Sequence, residues 1–316
     1  MQPDFFRRRL ESLGRRQCRV LPLGDGLRRL REGSLPPRSV VLTFDDGFHD
    51  FYQCAFPLLL EFGFPATIYQ TTYYSNFEFP IFNLILSYLF WRANGRQINS
   101  ADYDLDGPFD LSSPFGRKRA VNAFLKTARE RKYDPGQKNE LAAALACNLG
   151  VDYGEIMRLR MLQLMTAPEI GAVRAAGIDV QLHTHRHQTP LEESLFVREI
   201  RDNRAWLASY TGASPDHFCY PSGVHHPEFL PWLRNEGVLS ATTCDSGFAT
   251  RTCEPLLLPR LVDSIHVTEV AFEGWLCGAS ALLPHRKVQG SPETLDPVVR
   301  RRDTEVVIDD DPTGAC

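Results

Sequence analysis

The segment SVVLTFDDG at residues 39–47 decides the fold, because an apolar, β-branched run ends there in two carboxylates and a glycine. Such a run is typical of a buried strand, and the Asp-Asp-Gly tripeptide predicts a polar turn in which glycine supplies backbone freedom. Residues 49–62 then carry apolar side chains at helical spacing, and ATIYQT at 66–71 has the composition of a second strand. A strand, a helix and a strand with short joints favour a βα repeat and a mostly parallel sheet.

The same alternation resumes near residue 165 and continues toward the C-terminus, without an internal sequence repeat. We predict helices and strands in turn, with helices at 167–176, 195–211, 227–236 and 267–277, strands at 178–184 and 239–244, and a strand leading into a loop at 216–223. This order again predicts parallel strands with helices packed on the sheet.

Residues 73–165 separate the two blocks and lack this alternation. They hold helical patterns at 81–91, 117–132, 137–147 and 154–164, and a polar loop near 99–114. We therefore predict an α/β barrel domain over 39–285 with a helical insertion at about 73–165. A lead-in at 1–38 precedes this domain, and a polar tail at 286–316, which we expect to be disordered, follows it.

The composition is that of an ordinary folded protein, and it narrows the function. The 316 residues are 43% hydrophobic and 23% charged, which allows a sizeable core. The formal net charge of −4 argues against a nucleic-acid partner, because such a partner usually demands a basic face. None of the 8 cysteines belongs to a CxxC pair, so a zinc ribbon is excluded and reduced core cysteines are favoured.

Two segments bear on the location of the protein. The basic N-terminal stretch is not followed by an apolar one, so we expect no secretory signal and a cytoplasmic enzyme. The run IFNLILSYLFW at 81–91 is shorter than the roughly 20 apolar residues that span a bilayer, so we expect no transmembrane segment. We interpret this run as a buried helix, and the alternative is an interfacial helix that meets a lipid-linked substrate.

Two polar clusters carry the chemistry, and each follows a predicted strand. Asp45 and Asp46 end the first strand, and α/β folds place their active sites at the C-terminal ends of parallel strands. The second cluster contains His183 and His187, which are four residues apart, so that one helical turn puts both imidazoles on one side. His185 is expected to point elsewhere and to be exposed.

Together the clusters offer one carboxylate and two imidazoles, which is an open three-ligand set for a divalent metal. The second carboxylate is then free to act as a base. A bound divalent ion lowers the pKa of a water to about 7, and a neighbouring aspartate completes its deprotonation near neutral pH.

These residues resemble the two motifs of the NodB-homology polysaccharide deacetylases, carbohydrate esterase family 4. TFDDG stands at 43–47, and the pattern H-[S/T]-x-x-H is matched by HTHRH at 183–187. The flanking blocks EIGAVRAAGIDVQL and EIRDNRAWLASYTGASPDHFCYPSG also look like those of the family. The resemblance covers about 39–72 and 165–262, and it implies a distorted (β/α) barrel of the NodB-homology type with a helical insertion.

The resemblance assigns the metal ligands and the base. Asp46, His183 and His187 would bind a divalent metal, usually zinc, although nickel, cobalt or manganese serve in relatives. Asp45 would be the base for the water that attacks the amide carbonyl. No other cofactor is implied.

Three further residues receive roles from the resemblance. Thr184 would orient the loop of the second motif by hydrogen bonding. The backbone N–H of Tyr220 would stabilise the oxyanion, and Arg260 would pair with the base and orient it. The alternatives are a packed aromatic ring before a turn for Tyr220 and a surface charge for Arg260.

The general acid is the point at which the sequence departs from the family. Relatives often carry a late histidine in a Leu-x-x-His-type motif, which the surroundings of His266 match poorly. His225 and His226, after the third motif, are alternatives. Asp245 is the candidate for the aspartate of the fourth motif.

The function implied is a metal-dependent hydrolase that removes N-acetyl groups from an amino-sugar-containing saccharide. A deformylase or a cyclic-amide hydrolase on the same scaffold is the nearest alternative, with a lipid-linked amino sugar as one such substrate. A catalytically inactive carbohydrate-binding relative is a rival from another class, and a structural protein with surface histidines is a third. Acetate release, formate release and stoichiometric metal binding distinguish them.

Overall fold

The structure is a computed structural model, and it describes residues 2–99, 103 and 105–279. The disordered tail predicted at 286–316 lies outside the described residues and stays a prediction. The chain forms two compact units: one contains the residues up to Asn76 and resumes at Met165, and the other is Phe77–Leu164.

The strands are short, and most of them belong to the first unit. They are β1 (Arg19–Val20), β2 (Ser39–Val40), β3 (Thr43–Phe44), β4 (Thr67–Gln70), β5 (Gln97–Ile98), β6 (Phe109–Asp110), β7 (Asp179–Leu182), β8 (His217–Cys219), β9 (Ser240–Ser246) and β10 (Leu258–Arg260). The helices are α1 (Pro3–Arg15), α2 (Leu23–Glu32), α3 (Phe56–Phe62), α4 (Phe82–Arg92), α5 (Pro114–Glu130), α6 (Pro135–Asn148), α7 (Tyr153–Arg158), α8 (Ala167–Ala175), α9 (Glu193–Thr211), α10 (Phe229–Asn235) and α11 (Glu269–Leu276).

A parallel sheet organises the first unit. In the described residues its six strands follow the order β10-β9-β8-β7-β4-β3, and every neighbouring pair is parallel. The sheet curls into a half-barrel with helices around it, which confirms the predicted distorted (β/α) barrel with a helical insertion. Strands β3 and β10 are its two edges, so no strand pairing joins them.

The strand predicted at 39–44 is divided in the structure. Residues Ser39–Val40 pair with β1 in a separate two-stranded sheet, and only Thr43–Phe44 joins the main sheet, beside β4. Because β3 is an edge strand, its side chains are half-buried rather than buried. The helix predicted at 49–62 begins as a π-helical turn over Phe51–Ala55 before α3, and β10 was not predicted as a strand.

Helix ends follow the expected chemical signals. Gly63 ends α3 and Gly212 ends α9, each in the left-handed conformation that glycine adopts at little cost. Thr166 and Glu169 form a reciprocal capping box at the start of α8. These signals determine where α3 and α9 end and where α8 begins, and each of these helices leads to or from a strand of the main sheet.

Side chains alternate between two faces of the curled sheet. Ile68 and Phe218 belong to the main core between sheet and helices, whereas Tyr69 and Cys219 pack with Leu23 in a small cluster on the other face. This alternation follows the two-residue period of a strand. Helix α1 also contributes to the main core, through side chains such as Leu10.

The second unit, Phe77–Leu164, has a core of its own. Helices α4, α5, α6 and α7 surround that core, and β5 and β6 form an antiparallel pair. The apolar side chains of α4, including Ile85 and Leu89, are buried in it, while Trp91 is exposed. Within the described residues, no helix combines the length and apolar composition needed to cross a membrane.

Candidate metal centre

The site lies at the C-terminal ends of several parallel strands. Asp45 and Asp46 follow β3, His183 follows β7, and Arg260 ends β10. Because parallel strands all end at the same edge of the sheet, residues far apart in the chain meet there.

Asp46, His183 and His187 form a compact cluster. Their nearest nitrogen and carboxylate oxygen atoms all lie within 4.8 Å of one another, and Oδ1 of Asp46 is 3.1 Å from Nε2 of each histidine. Ligands held about 2.0–2.2 Å from one ion at tetrahedral angles are separated by about 3–3.5 Å. The spacing between the carboxylate and each imidazole therefore fits a single divalent cation.

The backbone brings the cluster together through turns rather than a helix. Asp46, Thr184 and His187 have φ values of 69°, 59° and 59°, in the left-handed region that non-glycine residues rarely adopt. The prediction of one helical turn between His183 and His187 is therefore wrong, although both imidazoles do meet. Such strained backbone tends to be retained at functional sites, where the surrounding structure holds it.

The hydrogen bonds of the two ring nitrogens of His183 indicate that this residue is suited to bind a metal. Nδ1 of His183 lies 2.8 Å from the carbonyl oxygen of Cys219, and Nε2 lies 3.1 Å from Asp46 Oδ1. A neutral imidazole has one N–H, so it cannot donate to both acceptors. Burial disfavours the imidazolium, yet the contacts with Cys219 and Asp46 raise the pKa of His183 well above 6.5. A cation bound by His183 would take the place of that proton, and a backbone acceptor on the other nitrogen is typical of metal-bound histidine.

Asp45 does not belong to the triad, and it pairs with Arg260. Nη1 and Nη2 of Arg260 donate to Oδ1 and Oδ2 of Asp45, each at 2.7 Å, in a bidentate pair. Burial acts to raise the pKa of Asp45, but the hydrogen bonds and charge of Arg260 outweigh it, so this pKa is lowered. Asp45 is therefore an ionised carboxylate of fixed orientation beside the candidate ligands.

The guanidinium of Arg260 is itself held by β9 and β3. Its Nε donates to the carbonyl of Thr243 at 2.9 Å, and Nη1 also reaches the hydroxyl of Thr43 at 3.2 Å. The thiols of Cys219 and Cys244 lie 3.2 and 3.8 Å from Nη2. The side chain is only 13% exposed, so the interpretation as a free surface charge is excluded.

Tyr220 does not offer the donor that the sequence predicts. Its N–H donates to the carbonyl of Thr242 at 3.1 Å, and its buried hydroxyl donates to the carbonyl of Leu256. Since the backbone N–H is already used in the pairing of β8 with β9, the prediction that it stabilises an oxyanion is wrong. The ring belongs to the main core, as the packed-aromatic alternative states.

Sequence reasoning missed Ser222, two residues further on. It has a φ of 55° in the tight turn Pro221–Gly223, and no hydrogen bond from its N–H is found in the described part of the chain. A Cβ on Gly223 would lie 2.7 Å from that of Cys244, so this turn lies against β9 where Arg260 is bound. The Pro-Ser-Gly sequence is a turn signal that points to this position.

The other predicted residues are placed as follows. The hydroxyl of Thr184 accepts a hydrogen bond from the Gln188 N–H at 3.0 Å, within the loop that it was expected to orient. His185 is half-buried, not exposed, because its Nδ1 contacts the hydroxyl of Thr72 at 2.8 Å. Burial lowers the pKa of His185 to about 4, so its ring is neutral.

The three histidines considered as general acid have partners outside the triad or are exposed. His225 pairs with Asp245 at 3.1 Å, and Asp245 follows Cys244 in β9, so strand alternation directs it away from the face that meets Arg260. His226 pairs with Glu228, and His266 is exposed. In the described residues no hydrogen bond or ion pair joins any of the three to the triad, so the identity of the acid stays a prediction.

Comparison with known proteins gives a family and a fold. The family model for polysaccharide deacetylase matches residues 32–82 and 148–239, so the gap in the match falls in the helical insertion. No curated protein sequence matches the chain.

Solved structures with similar folds come from several bacteria. The deacetylase PplD of Streptococcus pyogenes, in complex with acetate, has 16% identity and a TM-score of 0.55, over 85% of this chain and 84% of that one. IcaB from Ammonifex degensii has 17% identity and a TM-score of 0.53, over 87% and 89%. The polysaccharide deacetylase BC0361 of Bacillus cereus has 15% identity and a TM-score of 0.50, over 87% and 61%. At these identities the likeness is one of fold.

Proposed function

This chain belongs to the polysaccharide deacetylase family, hydrolases of carbon–nitrogen bonds other than peptide bonds, and from that premise we propose that it removes an N-acetyl group from an amino sugar in a saccharide. The observation that carries the proposal is the separation of the two adjacent aspartates. Asp46 lies 3.1 Å from both histidines, while Asp45 is held apart by Arg260. One carboxylate is thus available as a ligand and the other as a base.

Asp46, His183 and His187 would hold the divalent cation, for which we propose zinc, with nickel, cobalt or manganese as substitutes. When bound, such a cation polarises the amide carbonyl and makes a water acidic near neutral pH. Two imidazoles and one carboxylate are a ligand set that zinc accepts with a position left open.

Asp45 takes the proton of the attacking water. The bidentate contact with Arg260 fixes both carboxylate oxygens and keeps the group ionised, which is the form that accepts a proton. The proton held on Asp45 is then available to the amine as it leaves. This assignment needs no separate histidine acid.

The Ser222 N–H replaces that of Tyr220 as the donor to the developing oxyanion. Its left-handed backbone leaves the N–H outside the strand pairing that uses the Tyr220 N–H. A donor fixed in this way favours the charge that appears in the transition state.

A saccharide substrate follows from the family, and the complex of the structurally similar deacetylase PplD with acetate favours an acetyl group. Release of formate instead would favour the deformylase alternative. The lipid-linked substrate and the cytoplasmic location stay predictions.

The test is acetate and formate release from a panel of N-acylated amino sugars, with Zn²⁺ content measured on the same samples. We expect acetate from the wild type, and loss of both stoichiometric metal and activity in Asp46→Ala and His187→Ala. Asp45→Asn should keep the metal and lose activity. His226→Ala is the control, because its exposed imidazole pairs with Glu228 and belongs neither to the triad nor to its loop; it should keep the metal. Metal-loaded wild type that releases neither acid would overturn the proposal.

A further inference from the structure

We propose that Asn203, on α9, is a positioning residue that fixes the spacing between the two ligand-bearing segments and so sets the metal affinity of the site. The inference rests on the proposed function, because it concerns the same metal centre. Asn203 is fully buried behind the candidate ligands and belongs to neither of the two sequence motifs.

The position of Asn203 in α9 is unusual for a polar residue. Phe196, Ile200, Asn203 and Leu207 follow one another at spacings of four, three and four, which is the apolar stripe of a helix packed on a core. The other three belong to the main core and are fully buried. A polar residue that breaks such a stripe lowers stability unless it is fully hydrogen-bonded, and such exceptions concentrate at functional sites.

The carboxamide of Asn203 is fully hydrogen-bonded. Its Oδ1 accepts from the backbone N–H of His183 at 2.9 Å. Its Nδ2 donates to the carbonyl of Gln70 at 3.0 Å and to the hydroxyl of Thr72 at 2.9 Å. The reversed orientation would place oxygen against the Gln70 carbonyl and an NH₂ against the His183 N–H, so the network determines the orientation.

The end of β4 connects this carboxamide to the other ligand segment. The N–H of Thr71 donates to the carbonyl of Asp46 at 3.1 Å, and its hydroxyl donates to the carbonyl of His183 at 3.1 Å. The side-chain amide of Gln70 also reaches the Asp46 carbonyl, at 3.3 Å. Residues 70–72 thus lie between the two ligand segments, and Asn203 joins them to His183 from the side of α9.

The network extends to the loop that carries the third ligand. The hydroxyl of Thr72, which accepts from Asn203, contacts His185, and the carbonyl of His185 accepts from the N–H of Tyr73 at 2.8 Å. On the same helix, Glu199 accepts from the N–H of Arg186 through its side chain. Removing the Asn203 carboxamide therefore releases the start of this loop while Glu199 still holds its middle.

A metal site binds tightly when its ligands are already in place. Residues that orient ligands from behind typically change metal affinity by about 10–100-fold when they are replaced. Asn203 contacts backbone rather than an imidazole, so its effect acts through the position of the segments. A purely structural role predicts lower stability without a specific loss of affinity.

The experiment compares Asn203→Ala with Leu207→Ala, a core substitution one turn further along the same face of α9. The melting temperature of each metal-free variant is measured first, so that the general loss of stability is known. The dissociation constant for Zn²⁺ is then measured by competition with a chromophoric chelator, and the visible spectrum of the Co²⁺-loaded protein reports ligand geometry. Asp46→Ala is included as the variant that lacks a ligand.

We expect Asn203→Ala to raise the Zn²⁺ dissociation constant about 10–100-fold and to change the Co²⁺ spectrum, while Leu207→Ala keeps the wild-type values. Thr72→Val removes one acceptor of the carboxamide at nearly constant shape and should act in the same direction; it also serves if Asn203→Ala does not fold. The positioning role alone is overturned if Asn203→Ala and Leu207→Ala bind Zn²⁺ with equal affinity. If Asn203→Ala is unfolded, the same conclusion follows when Thr72→Val binds Zn²⁺ as tightly as the wild type does. A wild type that binds Zn²⁺ no better than Asp46→Ala overturns the proposed metal centre itself, and the positioning role with it.

Discussion

Replacing Gly47 with alanine tests how the Asp-Asp-Gly turn packs on the buried end of β4. Gly47 has a φ of +83°, and a Cβ there would lie 1.9 Å from Oε1 and 2.2 Å from Cδ of Gln70. Gln70 is fully buried, and its Nε2 donates to the carbonyl of Thr71 at 2.7 Å. Its carboxamide therefore cannot rotate away without losing that hydrogen bond.

Two contributions give the magnitude. An alanine in left-handed backbone costs about 1–2 kcal/mol relative to glycine. Displacing the Gln70 carboxamide leaves a buried donor without its acceptor, which costs about 1–3 kcal/mol. We expect Gly47→Ala to lower the free energy of unfolding by about 2–5 kcal/mol. This is a large part of the whole free energy of unfolding of a typical domain, which is roughly 5–15 kcal/mol.

Urea unfolding of the metal-free protein measures this loss, and the chain offers matched controls. Gly63 and Gly177 have φ values of +64° and +93°, on either side of that of Gly47. Apart from their immediate chain neighbours, no atom of the described residues lies within 4 Å of a Cβ built on them. Gly63→Ala and Gly177→Ala should show the backbone contribution alone. If Gly47→Ala is no more destabilising than these controls, the packing argument is wrong. In a double-mutant cycle, Gln70→Ala should remove part of the cost of Gly47→Ala.

Three further predictions concern other groups. Arg260→Lys should keep the metal but lower kcat by about 100-fold, because a single ammonium cannot orient both oxygens of Asp45; an unchanged kcat would contradict the orienting role. Arg9→Ala should lower the free energy of unfolding by about 1–3 kcal/mol, because it removes the part-buried pair with Asp263, whose side chain is 27% exposed. Arg8→Ala, at an exposed pair, should cost less than about 1 kcal/mol; equal losses in urea unfolding would refute this. Burial raises the pKa of the Cys244 thiol above its ordinary 9.0 despite the nearby Arg260. The rate at which iodoacetamide alkylates Cys244, followed by peptide mass spectrometry, should therefore still increase with pH at pH 9. A rate that reaches a plateau below pH 9 would show that this pKa is not raised.

The fold class and the triad could be predicted from the sequence, for one physical reason. Apolar runs followed by polar turns mark the C-terminal ends of parallel strands, and these ends meet at one edge of the sheet. TFDDG and HTHRH each follow such a run, so their side chains converge although 135 residues lie between them. The prediction needed the order of the elements and not their exact boundaries.

The predictions that were wrong depend on strand register and backbone angles, which residue types do not determine. The pairing of β8 with β9 decides whether the Tyr220 N–H is free, and the left-handed φ of Ser222 decides which N–H remains. Likewise, the four-residue spacing of His183 and His187 suggested a helix, whereas two left-handed residues bring the rings together. Asn203 gave a signal, a polar residue in an apolar stripe, but two of its three partners, Thr72 and Gln70, are 131 and 133 residues away in the other block.

The pair between Asp45 and Arg260 links the proposed chemistry to the architecture. Asp45 follows β3 and Arg260 ends β10, and these strands are the opposite edges of the sheet. No backbone ladder joins them, so the bidentate pair, with the contact from Arg260 to Thr43, bridges the open side of the half-barrel. A substitution that removes the charge of the base therefore also removes a contact between the two edges of the sheet. For this reason Asp45→Asn, which retains one acceptor oxygen, separates the loss of a base from the loss of structure better than Asp45→Ala does.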